Sequence, residues 1–106
     1  MISSQMLKGT LEGCILKIIS KEETYGYEIV QKLQEFGFHD VNEGTIYPLL
    51  LRLQKNNAII ATMKSSSIGP NRKYYRISEK GRLDLDNFYK GWIELNLIVN
   101  SLLKDK

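Results

Sequence analysis

The 106-residue sequence predicts a mainly α-helical fold with one β-hairpin and a long C-terminal helix. Three observations support this prediction. Apolar residues recur with helical spacing in three segments before residue 57. Two β-prone segments flank a stretch rich in Ser, Gly, Pro and Asn between residues 58 and 77. From residue 85 onward the apolar residues follow a heptad-like pattern, which is typical of a helix that packs along its whole length.

Two short amphipathic helices are predicted at the start of the chain. The first spans about residues 9–20, with an apolar stripe formed by Leu7, Leu11, Ile15 and Ile18. The second runs from Tyr25 to about Phe36, and Thr24 precedes it as a candidate N-cap. The inner face of this second helix is expected to comprise Tyr25, Ile29, Leu33 and Phe36.

The third helix has an apolar inner face and an unusual outer face. The inner face, with spacing i, i+3, i+4 and i+7, comprises Ile46, Leu49, Leu50 and Leu53. The outer face presents Tyr47, Leu51, Arg52 and Lys55. Asn42 or Thr45 can cap the helix, so its start is placed between these residues, and Pro48 favours a late start because proline is tolerated in a first turn. Asn56 and Asn57 are expected to end the helix.

A β-hairpin is predicted next, with strands at residues 58–63 and 72–77 and a turn or loop at residues 64–71. Ser78 is a suitable cap for the last helix, predicted over residues 79–103 and roughly 37 Å long at about 1.5 Å per residue. Its apolar seam, spaced 3, 4, 3, 4, 3, comprises Leu85, Phe88, Trp92, Leu95, Val99 and Leu102. This seam favours packing against a second copy of the chain, and folding back onto its own domain is the alternative.

The positive charge is concentrated in the middle of the chain. Residues 1–40 carry 4 Lys and 6 Asp/Glu, giving −2; residues 41–82 carry 8 Lys/Arg and 2 Glu, giving +6; residues 83–106 carry 3 Lys and 4 Asp/Glu, giving −1. These values sum to the net charge of +3. A charge distribution of this kind indicates a polyanionic partner, and a solvated basic face without a partner is the alternative.

Three helices followed by a β-hairpin make a winged helix-turn-helix, in which the third helix enters the DNA major groove. We therefore predict a DNA-binding domain at residues 1–78 and a dimerisation helix at residues 79–106. Polar, aromatic and cationic residues of the third helix and the hairpin are the candidate DNA contacts: Asn42, Thr45, Tyr47, Arg52, Lys64, Asn71, Arg72 and Lys73. Two interpretations of Glu43 are open, a contact with a cytosine amino group or a helix cap.

Three motifs resemble the PadR family of bacterial transcriptional regulators. They are Gly-Tyr-Glu-Ile at residues 26–29, Gly-Thr-Ile-Tyr-Pro-Leu-Leu at 44–50, and Lys-Tyr-Tyr-Arg-Ile-Ser-Glu-Lys-Gly at 73–81. The short tail resembles the subfamily with a single C-terminal dimerisation helix, some of whose members are multidrug-responsive repressors. The resemblance implies a homodimeric repressor on a two-fold symmetric operator, with Thr45 and Tyr47 as DNA contacts. It also implies a ligand role for Trp92 toward a planar aromatic effector, and dimer core is the alternative role of this residue.

Other classes of function have less support. Cys14 and His39 are single and unclustered, so we expect no metal site and no cofactor. One His without a nucleophile–base pair or a phosphate-binding loop argues against an enzyme. The sequence shows no membrane span and no signal peptide, so a cytoplasmic location is expected. A winged-helix module that binds proteins rather than specific DNA sequences is the alternative function.

Overall fold

A computed structural model describes residues 2–66 and 69–105 and has the predicted architecture of a winged helix with a long C-terminal helix. The elements in chain order are α1 (Ser4–Leu7), α2 (Leu11–Lys21), β1 (Thr24–Tyr25), α3 (Gly26–Phe36), α4 (Glu43–Lys55), β2 (Ile59–Ser66), β3 (Gly69–Ile77) and α5 (Glu79–Lys104). The strands form an antiparallel sheet with the order β1-β3-β2. Because α5 projects from the domain, the molecule measures 59 × 30 × 20 Å.

The core lies between α2, α3, α4 and one face of the sheet. Its fully buried side chains include Ile15, Ile19, Ile29, Leu33, Ile46, Leu50 and Ile59. Ile46, Leu50 and Leu53 are buried and Leu49 is half-buried, which confirms the predicted inner face of α4. The same periodicity places Tyr47 and Leu51 on the outer surface, where they are 42% and 54% exposed.

The segment before α3 differs from the prediction. Thr24 is not the helix cap, because Thr24 and Tyr25 form β1 and pair with Tyr75 and Tyr74 of β3. Tyr25 occupies the N-cap position without a side-chain hydrogen bond, while the Thr24 hydroxyl donates to Glu28. Thr24 has an extended backbone because it belongs to β1. A prediction from local sequence cannot detect this strand, because its partner β3 lies about 50 residues later.

The end of α3 also differs from the prediction. Phe36 was expected on the inner face but is 83% exposed. The helix stops at the positive-φ residue Gly37, and Val41, which follows this turn, is buried in the core instead. The Gln34 amide donates to the Val41 carbonyl at 2.8 Å and holds the returning chain against the helix.

The start of α4 is early rather than late. Asn42 is the N-cap, and its Oδ1 accepts from the Thr45 N–H at 3.2 Å. Pro48 consequently lies inside the helix and removes one backbone hydrogen bond there. A side-chain cap is worth about 1 kcal/mol, which offsets part of that loss. At the other end Asn57 adopts φ 62°, the left-handed conformation expected of an Asn that ends a helix.

The hairpin strands are longer than predicted. Pairing continues from Ile59 opposite Ile77 to Lys64 opposite Arg72, with a register irregularity between Lys64 and Ser66. Much of the segment 64–71, which was predicted to be a turn or loop, is therefore part of the two strands. The centre of that predicted loop, residues 67–68, lies outside the described residues.

Helix α5 is anchored at its first turns and exposed beyond them. The Ser78 hydroxyl accepts from the Gly81 N–H at 3.0 Å, which confirms the predicted cap, and donates to the Asn57 carbonyl at 2.6 Å. Leu85 packs on the core, and the Phe88 ring lies against Gly13 of α2. The other seam residues are more exposed: Trp92 44%, Leu95 54%, Val99 41% and Leu102 71%. Along residues 2–66 and 69–105 no helix has the length and apolarity that crossing a membrane requires.

Candidate nucleic-acid interface

The exposed face of α4 forms one wall of a groove of about 450 Å³. Glu43, Tyr47 and Leu51 follow one another at intervals of four residues, so they form a single stripe along this wall. The other walls are the segment 25–27 at the start of α3 and the segment 71–73 of β3. The groove thus joins the helix and the hairpin that the sequence predicted to contact DNA.

Tyr47 is positioned by Gly26. A Cβ atom at residue 26 would lie 2.7 Å from the Tyr47 hydroxyl and 2.8 Å from its ring, so only glycine allows the ring to lie where it does. Burial raises the pKa of Tyr75 at the base of the groove, and neighbouring Tyr47 raises it further. Because Gly26 makes room for the Tyr47 ring, the Gly-Tyr-Glu-Ile motif at residues 26–29 shapes the exposed surface of α4.

The hairpin formed by β2 and β3 is the wing. Its cationic side chains lie against aromatic rings. The Arg72 guanidinium lies 4.7 Å from the centre of the Tyr25 ring, and the Lys64 ammonium lies 5.2 Å from that of Tyr74. The rings of Tyr25 and Tyr74 pack edge to face, with centres 5.4 Å apart. Lys64 also forms an ion pair with Glu23. These contacts hold both cations at defined places beside β1.

The eight predicted DNA contacts lie at four places in the structure. Tyr47, Asn71, Arg72 and Lys73 line the same groove. Asn42 and Thr45 lie next to it at the start of α4, where Asn42 caps the helix, and Lys64 lies on the wing.

Arg52 lies apart from the groove, in the last turn of α4. Its Nε atom is 2.6 Å from Oε1 of Glu12, so the side chain connects α4 to α2. Nothing local in the sequence indicates this pair, because Glu12 lies 40 residues earlier. Because the Arg52 side chain is 63% exposed, this ion pair is worth only about 0–1 kcal/mol, and a DNA contact by Arg52 remains a prediction.

Several residues of the groove wall are not among the predicted DNA contacts. Tyr25 was expected on the inner face of the second helix and Glu43 was left undecided, whereas both line the groove together with Tyr27. The four-residue interval from Glu43 to Tyr47 is the signal that could have identified Glu43. No group of three or more His, Cys, Asp or Glu residues in the described part of the chain is arranged to hold a metal ion.

The family model described as the transcriptional regulator PadR-like family matches residues 15–87, which is most of the chain. This chain belongs to the PadR-like family of transcriptional regulators. The match begins inside α2 and ends inside α5, so it covers most of the winged helix and the first turns of α5. The family assignment makes DNA-binding regulation of transcription the functional class of this PadR-like regulator.

Two solved structures and one further protein are similar to this chain over nearly its whole length. A crystal structure of a PadR-like transcriptional regulator from Bacillus cereus is 56% identical, with a TM-score of 0.85, and the match covers 97% of this chain and 100% of that one. A Streptococcus transcriptional regulator is 43% identical with a TM-score of 0.85, over 96% of this chain and 100% of the other. An uncharacterized protein of Lysinibacillus sphaericus is 33% identical over 98% of this chain and 97% of its own length.

Proposed function

We propose that this PadR-like regulator is a homodimeric repressor that binds a two-fold symmetric DNA operator through α4 and the wing. The groove between the Tyr47 stripe and Arg72 is the observation that carries the proposal. Exposed residues at the start of a recognition helix contact base edges, while cationic and amide side chains beside it contact phosphates. Tyr47 is suited to the first task, and Asn71, Arg72 and Lys73 are suited to the second.

The intramolecular contacts of the wing cations are compatible with phosphate binding. The side chains of Lys64 and Glu23 are 49% and 30% exposed, and an exposed ion pair of this kind is worth only about 0–1 kcal/mol. Lys64 can therefore exchange Glu23 for a phosphate at little cost. The cation–π contact of Arg72 keeps the positive charge beside the groove, so the guanidinium can still donate hydrogen bonds to a phosphate.

The exposed part of α5 supports the dimer. Trp92, Leu95, Val99 and Leu102 continue the spacing of Leu85 and Phe88 beyond the point where the domain covers the helix. Pairing this surface with a second copy would bury the apolar residues and place two α4 helices at a set distance. Two-fold symmetry of the protein then predicts inverted half-sites, with about one helical turn of DNA between their centres as the expected spacing. Repression, rather than activation, rests on the family resemblance.

Reversing both wing cations, with Lys64→Glu and Arg72→Glu, is expected to lower DNA affinity by at least about 100-fold, because phosphate contacts dominate affinity. The single reversal Lys64→Glu should reduce the slope of log affinity against log salt concentration by about one unit for each phosphate contact that is lost. Fluorescence anisotropy with a duplex from the promoter of the protein's own gene measures both quantities.

The matched control for the wing reversal is Lys8→Glu with Lys17→Glu, which makes the same charge change at exposed positions outside the groove. An equal loss of affinity in the control would mean that net charge, and not the wing, determines binding. Tight binding of wild-type protein to an acidic protein, without preference among DNA sequences, would instead support the interaction module.

We further propose that a planar aromatic compound binds beside Trp92 in the dimer and releases the DNA. Trp92 is the single tryptophan and is 44% exposed on one chain, and the space around neighbouring Gly91 is open. A planar cationic dye should quench Trp92 fluorescence and displace wild-type protein from its promoter duplex. The variant Trp92→Ala, checked to remain a dimer by light scattering, should resist displacement. Unchanged fluorescence at saturating dye would assign Trp92 to the dimer core alone.

A further inference from the structure

Glu43 occupies a central place on the proposed DNA surface. It is the first residue of α4 and is exposed, and it lines the groove together with Tyr47 and Leu51. It also lines an adjoining groove, which includes Tyr27 and Gln31 of α3. Residues at the start of a recognition helix lie closest to the base edges in the major groove. Glu43 therefore places a negative charge where the protein would meet the DNA.

The structure gives Glu43 no capping role. Asn42 is the cap of α4, and its side chain accepts the hydrogen bond from the Thr45 N–H. A carboxylate in the first turn also interacts favourably with the helix dipole, but Glu79 has the same position in α5, after the cap Ser78. The helix dipole would favour an acidic residue equally at the start of α4 and at the start of α5. It therefore does not explain why the acidic residue of α4 lies on the groove.

The carboxylate of Glu43 has no partner among the described residues. Other acidic side chains near the interface are engaged: Glu12 with Arg52, Glu23 with Lys64, and Glu28 with Thr24. No ion pair and no side-chain hydrogen bond within residues 2–66 and 69–105 includes Glu43, so its oxygens are available to a ligand.

We propose that Glu43 determines sequence specificity by accepting a hydrogen bond from the N4 amino group of a cytosine in each half-site. An ionised carboxylate only accepts hydrogen bonds, and cytosine presents a lone amino donor in the major groove. Guanine and thymine present acceptors there, which the carboxylate repels, and adenine places an acceptor beside its amino group. The charge also opposes the phosphates, so Glu43 weakens binding to DNA that lacks the cytosine. This inference rests on the proposed DNA-binding function.

A selection from a library of randomised duplexes tests the proposal and does not require the operator sequence. Wild-type protein, Glu43→Gln and Glu43→Ala are each used to enrich binding sequences, and the recovered sites are compared position by position. We expect one symmetry-related position at which wild-type protein requires cytosine and Glu43→Ala accepts all four bases. The preference for cytosine should fall by roughly 10-fold, within the range of a single base contact. Affinity for a duplex without the site should rise in both variants.

Glu79→Gln is the matched control, because it removes the same charge from the same helical position outside the groove. It should leave the recovered site and the affinities unchanged. Identical sites from wild-type protein and Glu43→Ala would overturn the proposal, as would equal changes from Glu43→Gln and Glu79→Gln. If wild-type protein enriches no sequence at all, the proposed function itself fails, which is a different result. Thermal melting of each variant verifies that the fold is retained.

Discussion

Replacing Leu95 and Val99 with glutamate is expected to produce a monomer whose affinity for a promoter duplex with an inverted repeat is at least about 100-fold lower. Both residues are exposed on the single chain, at 54% and 41%, so the winged helix does not need them to fold. In a dimer two new carboxylates per chain would face each other across an apolar seam, which carries a large desolvation cost. Losing the dimer removes the gain from binding two half-sites together, typically about 10²–10⁴-fold.

Light scattering after gel filtration measures the mass of this variant, and anisotropy measures its affinity for the duplex. The control variant carries Asn87→Glu and Ser101→Glu, which add the same charge to exposed positions of α5 away from the seam. That control should remain a dimer and bind normally. A persistent dimer in the variant with glutamate at residues 95 and 99 would show that α5 pairs through another surface.

Replacing Gly81 with alanine is expected to lower the free energy of unfolding by about 2–3 kcal/mol. Gly81 is buried in the first turn of α5, and a Cβ there would overlap the Ala58 carbonyl oxygen and lie 2.7 Å from Cγ1 of Ile77. Alanine normally favours a helix over glycine by about 1 kcal/mol, so the sign of the effect separates packing from propensity. The change would also disturb the Ser78 hydroxyl, which caps α5 by accepting from the Gly81 N–H and donates to the Asn57 carbonyl just after α4.

Urea unfolding followed by circular dichroism measures this loss, at one protein concentration for all variants. Asn87→Ala is the control, because it introduces the same residue at an exposed position of the same helix and should change stability by less than about 0.5 kcal/mol. A Gly81→Ala protein as stable as wild type would mean that α5 can move away from the Ala58 carbonyl without cost.

Features encoded by short sequence patterns were predicted correctly. The inner face of α4 follows from the spacing of Ile46, Leu50 and Leu53, and the cap at Ser78 follows from a side chain that reaches the backbone N–H group three residues later. The start of α4 was left open between Asn42 and Thr45, and the structure selects Asn42. The order of helices and hairpin, and with it the fold class, follows from the same local signals. Each signal spans a few residues, so it can be recognised before the path of the chain is known.

Contacts between distant segments were not predictable in this way. Arg52 lies beside Glu12, Lys64 meets Glu23 and Phe88 lies against Gly13. Each contact joins residues that the fold brings together across dozens of positions, and no local pattern indicates which of several acids or cations will meet. The motifs of the family resemblance indicated a face for the interface, but not these partners.

The sequence alone determined the order of the main helices and the hairpin, the apolar face of α4 and the cap of α5 in this PadR-like regulator, because hydrophobic spacing and capping chemistry act over one or two helical turns. The tertiary structure decided that Thr24 and Tyr25 complete the sheet, that Gly26 makes room for Tyr47, and that Glu43 stands unpaired in the described groove. These outcomes depend on how closely α3, α4 and β3 approach one another, and that approach is set by the packing of the whole core.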